Sequence, residues 1–166
     1  MFAGDDMLKR ESWDQYFLGL AKKIGQRSKD PSVRIGAIVV DPDKNIRCSG
    51  YNGLPRKVND LISARWERPK KYSFMAHSEK NCICAAARMG VSTNGCTMYV
   101  CSNEYCLPPC ADCAQAIIQA GIVRVVYTTS DNIPERWRES VEIASIMFKE
   151  AGVETIAIKK TSKKAS

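Results

Sequence analysis

The sequence predicts an α/β fold, a three-layer α/β/α sandwich around a five-stranded mixed sheet. Three observations carry this. Two strand-length apolar runs, 33–40 and 46–51, are separated by the turn Asp41-Pro42-Asp43-Lys44-Asn45, and so short a connection implies an antiparallel hairpin. From residue 77 onward helical runs alternate with strand runs, which is the pattern of strands joined by helical crossovers. Two of those helical runs, neighbours in the alternation, open on chemically loaded stretches: His77-Ser78-Glu79 and Pro109-Cys110-Ala111-Asp112-Cys113.

Residues 11–29 read as the first helix, with Trp13, Tyr16, Phe17, Leu20 and Ile24 at helical spacing. Ser12 and Gln15 have the spacing of a capping box, and Asp30-Pro31 supplies a stop. Gly36 lies inside the first strand, where a glycine marks a bulge or the close approach of another backbone. Residues 52–76 read as a long irregular segment, and loops of that length in a compact domain are more often functional than filler. A helix follows from His77 and a strand covers 96–101. The helix at Cys110 stops at Ala120-Gly121, where Gly provides a natural C-terminal end. Residues 122–128 form a continuous β-branched strand of the buried kind. A last helix over 135–151 closes at Gly152, and a last strand covers 153–158. The order is α-β-β-α-β-α-β-α-β, a single domain over 1–158 with a basic, disordered tail over 159–166.

Cys110 and Cys113 stand three apart at a helix start, so their sulfurs share one face. The positive end of the helix dipole there favours the thiolates that a metal needs. Pro109 suits a first helical turn, where a missing N–H costs nothing. One imidazole and two thiolates leave the fourth position of a zinc ion open for water, as a catalytic site requires. Glu79 is too close to His77 to be a comfortable fourth ligand, which leaves it the work of proton transfer. Zinc lowers the pKa of bound water to about 7. Glu79 is then placed to take a proton from that water and hand it on to a substrate. An isolated Cys-x-x-Cys also occurs as a redox pair or as half of a structural zinc knuckle. The pairing of both stretches at helix openings, with the only histidine of the chain inside one of them, favours the catalytic reading.

This H-x-E and P-C-x-x-C arrangement is that of the zinc-dependent nucleobase deaminases. The chain resembles the cytidine-deaminase-like superfamily and, within it, the deoxycytidylate (dCMP) deaminases. The likeness runs over residues 11–158 through Ile35–Val40, Gly50-Tyr51-Asn52-Gly53-Leu54-Pro55, the two metal stretches and Ala116–Ile122. The resemblance implies hydrolysis of dCMP to dUMP and ammonia, a step that supplies dUMP for dTMP synthesis. It also implies Zn2+ held by His77, Cys110 and Cys113, with Glu79 as proton carrier. Asn52 would hold the nucleotide beside base and sugar, and the Ser78 N–H would face the pyrimidine carbonyl. Tyr72 and Phe74 are candidates for packing against the sugar or base, and equally for anchoring the loop. For the phosphate the candidates are Arg34, Arg56, Arg65 and Arg68, whose guanidinium forks suit it, and sequence does not choose among them. Members of the family are usually homo-oligomers, often hexamers, and some respond to dCTP or dTTP.

Similar proteins commonly carry Ala where Ser78 and Cys82 stand, which leaves substituents on the base, as in a 5-substituted dCMP, an open question. Cys82, Cys84, Cys101 and Cys106 lack regular zinc-ligand spacing and read as small buried hydrophobes in place of a second metal site.

The charge of +7 is concentrated: residues 56–71 and the tail each carry +4, and the remainder sums to −1. That distribution differs from the basic face of a nucleic-acid-binding surface, so nucleic acid is not the expected partner. The principal rival is nonetheless a deaminase of a base in tRNA or single-stranded nucleic acid, which the basic tail favours and the basic loop before His77 disfavours. A non-catalytic zinc scaffold is the other, against which Glu79 argues. No apolar run approaches membrane-span length and the N-terminus lacks a signal-peptide pattern, so a cytoplasmic protein with reduced thiols and no membrane partner is expected.

Overall fold

The structure, a computed structural model, describes residues 10–102, 107–130 and 133–159. Helix α1 (Trp13–Gly25) is followed by β1 (Ile35–Val40) and β2 (Ile46–Tyr51). A 3-10 turn (Ser63–Arg65) and the short α2 (Lys70–Phe74) then lead to α3 (Ser78–Met89) and β3 (Thr97–Ser102). The chain continues through α4 (Ala111–Gln119), β4 (Arg124–Thr129), α5 (Glu135–Glu150) and β5 (Glu154–Lys159). The five strands form one mixed sheet in the order β2-β1-β3-β4-β5. β1 runs antiparallel to both β2 and β3, and β3, β4 and β5 are parallel.

Strand side chains alternate between the faces of a sheet, and here the two faces find different covers. Ala37, Val39, Met98, Val100 and Val125 pack with residues of α3, α4 and α5. Ile38, Val40, Tyr99, Cys101 and Val126 pack with Phe17, Leu18 and Ala21 of α1. This is the expected three-layer sandwich, with α1, among the described residues, the helix that covers one face. Asp14 of α1 takes two bonds from the Arg124 guanidinium, at 3.0 and 2.8 Å, and one from the Tyr99 hydroxyl at 2.9 Å. The Arg124 hydrogen bonds hold the Asp14 carboxyl below its ordinary value, while burial, followed by the bond to Asp14, raises the Tyr99 phenol to about 12.

Gly36 proves to be a close approach: a Cβ there would lie 1.9 Å from the Ala21 carbonyl oxygen, so α1 rides directly on β1. The register shift in β1 falls elsewhere, between Val39 and Val40. The capping box forms as read, with reciprocal bonds of 3.3 Å between Ser12 and Gln15.

Three expectations are corrected. The first helix stops at Gly25, not at residue 29, and the chain beyond turns across the sheet edge, where the Ser28 hydroxyl donates to the Asn52 carbonyl at 2.7 Å. The segment 52–76 is not irregular throughout, since it holds the 3-10 turn and α2. Its ends are joined by a two-way backbone bridge, Gly53 N–H to Ala76 O at 3.0 Å and Ala76 N–H to Gly53 O at 2.9 Å. Lys159, placed in the tail by sequence, closes β5; residues 160–166 lie outside the described residues.

Candidate metal centre

Helix N-termini leave backbone N–H groups unpaired, and two such ends meet here. His77 is the residue capping α3 and Cys110 the residue capping α4, both in extended backbone conformation. Pro109 therefore precedes the cap and does not sit inside the first turn, while Cys113 lies within that turn and Glu79 lies in the first turn of α3. The Gly53–Ala76 bridge sets the approach to His77, and Asn81 Nδ2 donates to the Tyr51 carbonyl at 2.8 Å, pinning α3 to the end of β2. Lys80 and Asp112 form an ion pair across the two helix starts. The Ser140 hydroxyl of α5 accepts the Ala111 N–H at 3.0 Å and satisfies one of the donors that α4 leaves unpaired.

His77 Nδ1 lies 3.4 Å from Cys110 Sγ and 3.3 Å from Cys113 Sγ, and the three ligand atoms all fall within 4.8 Å of one another. Tetrahedral zinc with ordinary Zn–S and Zn–N bonds places such atoms about 3.6 Å apart. The donor set therefore fits zinc, with three protein ligands and a fourth position left over. Among the described residues no other group of His, Cys, Asp and Glu side chains gathers in this way. The metal-free electrostatics are polarised. The Cys110 thiol is lowered to about 4, first by the hydrogen bond from Cys113 and then by His77. The bond to Cys110 raises Cys113, with burial adding to it, and the same thiolate raises His77 to about 9.

Glu79 is buried and accepts the Ser78 hydroxyl at 2.8 Å. It lines the same cavity as His77, Cys110 and Asn52. A carboxylate at that position can carry a proton between water held at the ligand set and a ring seated in the cavity. Trp137 of α5 closes one side, its ring 6.2 Å from the His77 ring at a steep angle of 66°.

The other expected residues divide. Arg68 and Tyr72 line the cavity, the guanidinium 5.9 Å from the tyrosine ring. Arg34 and Arg56 are exposed and do not line it. Arg65 lies 4.9 Å over the Phe74 ring and donates to the Asn59 carbonyl at 2.8 Å, so that pair braces the loop outside the cavity. Ser78 is fully buried behind Glu79. Asn52 reaches the cavity with both amide hydrogens committed inside the protein, to Asp30 Oδ2 at 3.1 Å and Val33 O at 2.9 Å. Sequence reasoning missed Asp30, Lys71, Arg136 and Trp137, which all line the cavity. A signal existed for the last two: Arg and Trp side by side open a helix in a chain with only three tryptophans.

Of the remaining cysteines, Cys82 and Cys101 are buried as expected, and Cys82 Sγ meets Cys48 Sγ at 3.4 Å. Cys84 is exposed, contrary to expectation, because it falls on the outer side of α3; Cys106 lies outside the described residues.

Comparison with known proteins agrees with this geometry. The family model for the cytidine and deoxycytidylate deaminase zinc-binding region matches residues 11–129. The deoxycytidylate deaminase of Mus musculus is 36% identical over 157 residues, covering 90% of this chain and 79% of the mouse protein. A deaminase encoded in the luxG 3' region of Aliivibrio fischeri, without an assigned substrate, is 34% identical over 143 residues, covering 86% and 90% of the two chains. The dCMP deaminase of cyanophage S-TIM5, solved with dCMP and dUMP, superposes with a TM-score of 0.67 at 24% identity, over 87% of this chain and 95% of the phage chain. No helix among the described residues is long and apolar enough to cross a membrane. With a family model matched over residues 11–129, a relative 36% identical over most of both chains and a His/Cys/Cys donor set that fits zinc, the chain belongs to the cytidine and deoxycytidylate deaminase family of zinc-binding proteins.

Proposed function

We propose that this protein hydrolyses dCMP to dUMP and ammonia. The observation that carries the reading is the shared cavity: His77 and Cys110 of the ligand set, buried Glu79, and two arginines, Arg68 and Arg136, line one space. Bound zinc supplies Lewis acidity and an acidified water at the fourth ligand position. Glu79 would take one proton from water and give it to the pyrimidine ring nitrogen as the water oxygen bonds to the amino-bearing carbon; it would then take the second proton from the hydroxyl so added and give it to the amino group, which leaves as ammonia while the carbonyl forms. The Ser78 hydroxyl orients the carboxylate for both transfers. Trp137 and Tyr72 offer apolar faces to the base and sugar. Arg68 and Arg136 offer the 5′-phosphate a bidentate partner, which a free nucleoside would leave unused. Relatives named deoxycytidylate deaminase, in mouse and in Homo sapiens at 35% identity, support the same substrate.

The single deaminase domain, bounded at 158 by the sequence reading, takes in Lys159 at the end of β5 and works as a homo-oligomer, in a compartment reducing enough to keep the cysteines as thiols. A response to dCTP or dTTP belongs to the same reading. Size-exclusion chromatography with and without these nucleotides checks both. The substrate is tested by incubating the zinc-loaded protein with dCMP, cytidine, dAMP and a tRNA transcript and following ammonia release. Release from dCMP in clear excess over cytidine is the expected result. Release from the tRNA alone overturns the assignment.

A further inference from the structure

A buried ion pair stands in the wall of the cavity, apart from the ligand set. Lys71 Nζ donates to Asp30 Oδ1 at 2.6 Å, with the two side chains 8% and 3% exposed. Asp30 Oδ1 also accepts the Ser32 N–H at 2.8 Å and the Val33 N–H at 3.3 Å. Its Oδ2 accepts only Asn52 Nδ2, at 3.1 Å, among the described residues. Lys71 gives one of its three ammonium hydrogens to Asp30, and no other described residue takes the rest. Burying such a pair carries a desolvation penalty that its Coulombic attraction does not always offset, and apolar replacements are often as stable. The pair is therefore a poor choice as mere packing, and both of its members line the cavity.

What the pair leaves open is a donor on Lys71 beside an acceptor on Asp30, with no net charge. A hydroxyl group, which both gives and takes a hydrogen bond, matches that arrangement. A phosphate does not, because the Asp30 carboxylate repels it, and the exposed Arg68 and Arg136, which also line the cavity, are the cations the reading above gives to the phosphate. A 2′-deoxynucleoside 5′-monophosphate has a single hydroxyl, the 3′. We infer that Asp30 and Lys71 bind the sugar 3′-hydroxyl and make it a determinant of specificity. The inference rests on the dCMP reading above. Asn52, with its Oδ1 accepting the Ile35 N–H at 2.8 Å, fixes the carboxylate from behind.

The test compares kcat/KM for dCMP and for 2′,3′-dideoxy-CMP in the zinc-loaded chain. The wild type is expected to prefer dCMP at least tenfold. A double variant, Asp30→Leu with Lys71→Met, removes both charges together and leaves neither buried alone; its preference is expected to fall to within about twofold, in keeping with the loss of a hydrogen bond to charged groups. If the double variant does not fold, Asp30→Ala with Lys71→Leu, which also removes both charges and both hydrogen-bonding groups, replaces it with the same expected loss of preference. A folded, zinc-replete variant that keeps the tenfold preference overturns the inference. So does a wild type that handles both nucleotides equally, and in that case dCMP deamination itself still stands. A wild type inert toward dCMP overturns both.

Discussion

Gly50 in β2 lies directly against the backbone of Cys82 in α3: a Cβ on Gly50 would stand 2.4 Å from the Cys82 nitrogen and 2.7 Å from the Ser78 carbonyl oxygen. Neither neighbour is a flexible side-chain end, so the helix that carries His77 and Glu79 sits as deep on the sheet as it does only because position 50 has no side chain. Gly50→Ala is expected to lift α3 and to destabilise the protein by about 1–3 kcal/mol, the usual cost of overpacking. Urea unfolding measures the first effect. Turnover measured well below the melting temperature is expected to fall several-fold as well, because the carboxylate moves with the helix.

Glu79→Gln keeps the shape of the buried side chain and removes its capacity to carry a proton. Zinc content by metal analysis should match the wild type, while turnover falls by about two to four orders of magnitude. A variant with normal metal and normal turnover would show that another group moves the proton.

Zinc held by His77, Cys110 and Cys113 would need a neutral imidazole and two thiolates, but of the three only Cys110 is ionised in the metal-free protein, its pKa lowered to about 4 by Cys113 and then His77. His77 is raised to about 9 and Cys113 is raised by its bond to Cys110, so both hold protons at neutral pH. Binding must release those protons, and zinc affinity is therefore expected to rise with pH, roughly a hundredfold per unit between pH 6 and 8. Competition with a chelator at three pH values gives the slope. Cys110→Ser and Cys113→Ser are each expected to lose the metal and the activity together.

Asp14 reports on the opposite face of the sheet. Its folded pKa is depressed, first by the Arg124 hydrogen bonds, so its contribution to stability is present above the unfolded carboxylate value and is lost as pH falls through the folded value. Asp14→Asn should cost about 1–2 kcal/mol at pH 7, as expected for a charge-assisted bidentate pair. The gap between variant and wild type should shrink in urea unfolding experiments as pH is lowered through the carboxylate range.

What the sequence determined by itself was whatever depends on short-range pattern. Strand period, capping residues and crossover order specify the sandwich. The spacing within P-C-x-x-C puts two candidate ligands on one face of a helix start, because residues three apart are neighbours there, and H-x-E marks a second helix start that offers the third. Tertiary structure alone decided which residues far apart in the chain share the cavity. Arg65 and Arg68 are three residues apart on one basic loop, yet one stacks on Phe74 and the other lines the site, a difference set by how the loop folds back on the Gly53–Ala76 bridge. Asp30 and Lys71, 41 residues apart, look like two ordinary surface charges in sequence. They become a buried pair because the chain leaves α1 early at Gly25 and carries Asp30 under α2. Long-range electrostatic pairing and backbone contact at glycine leave no periodic trace in the sequence, and so they are settled only by packing.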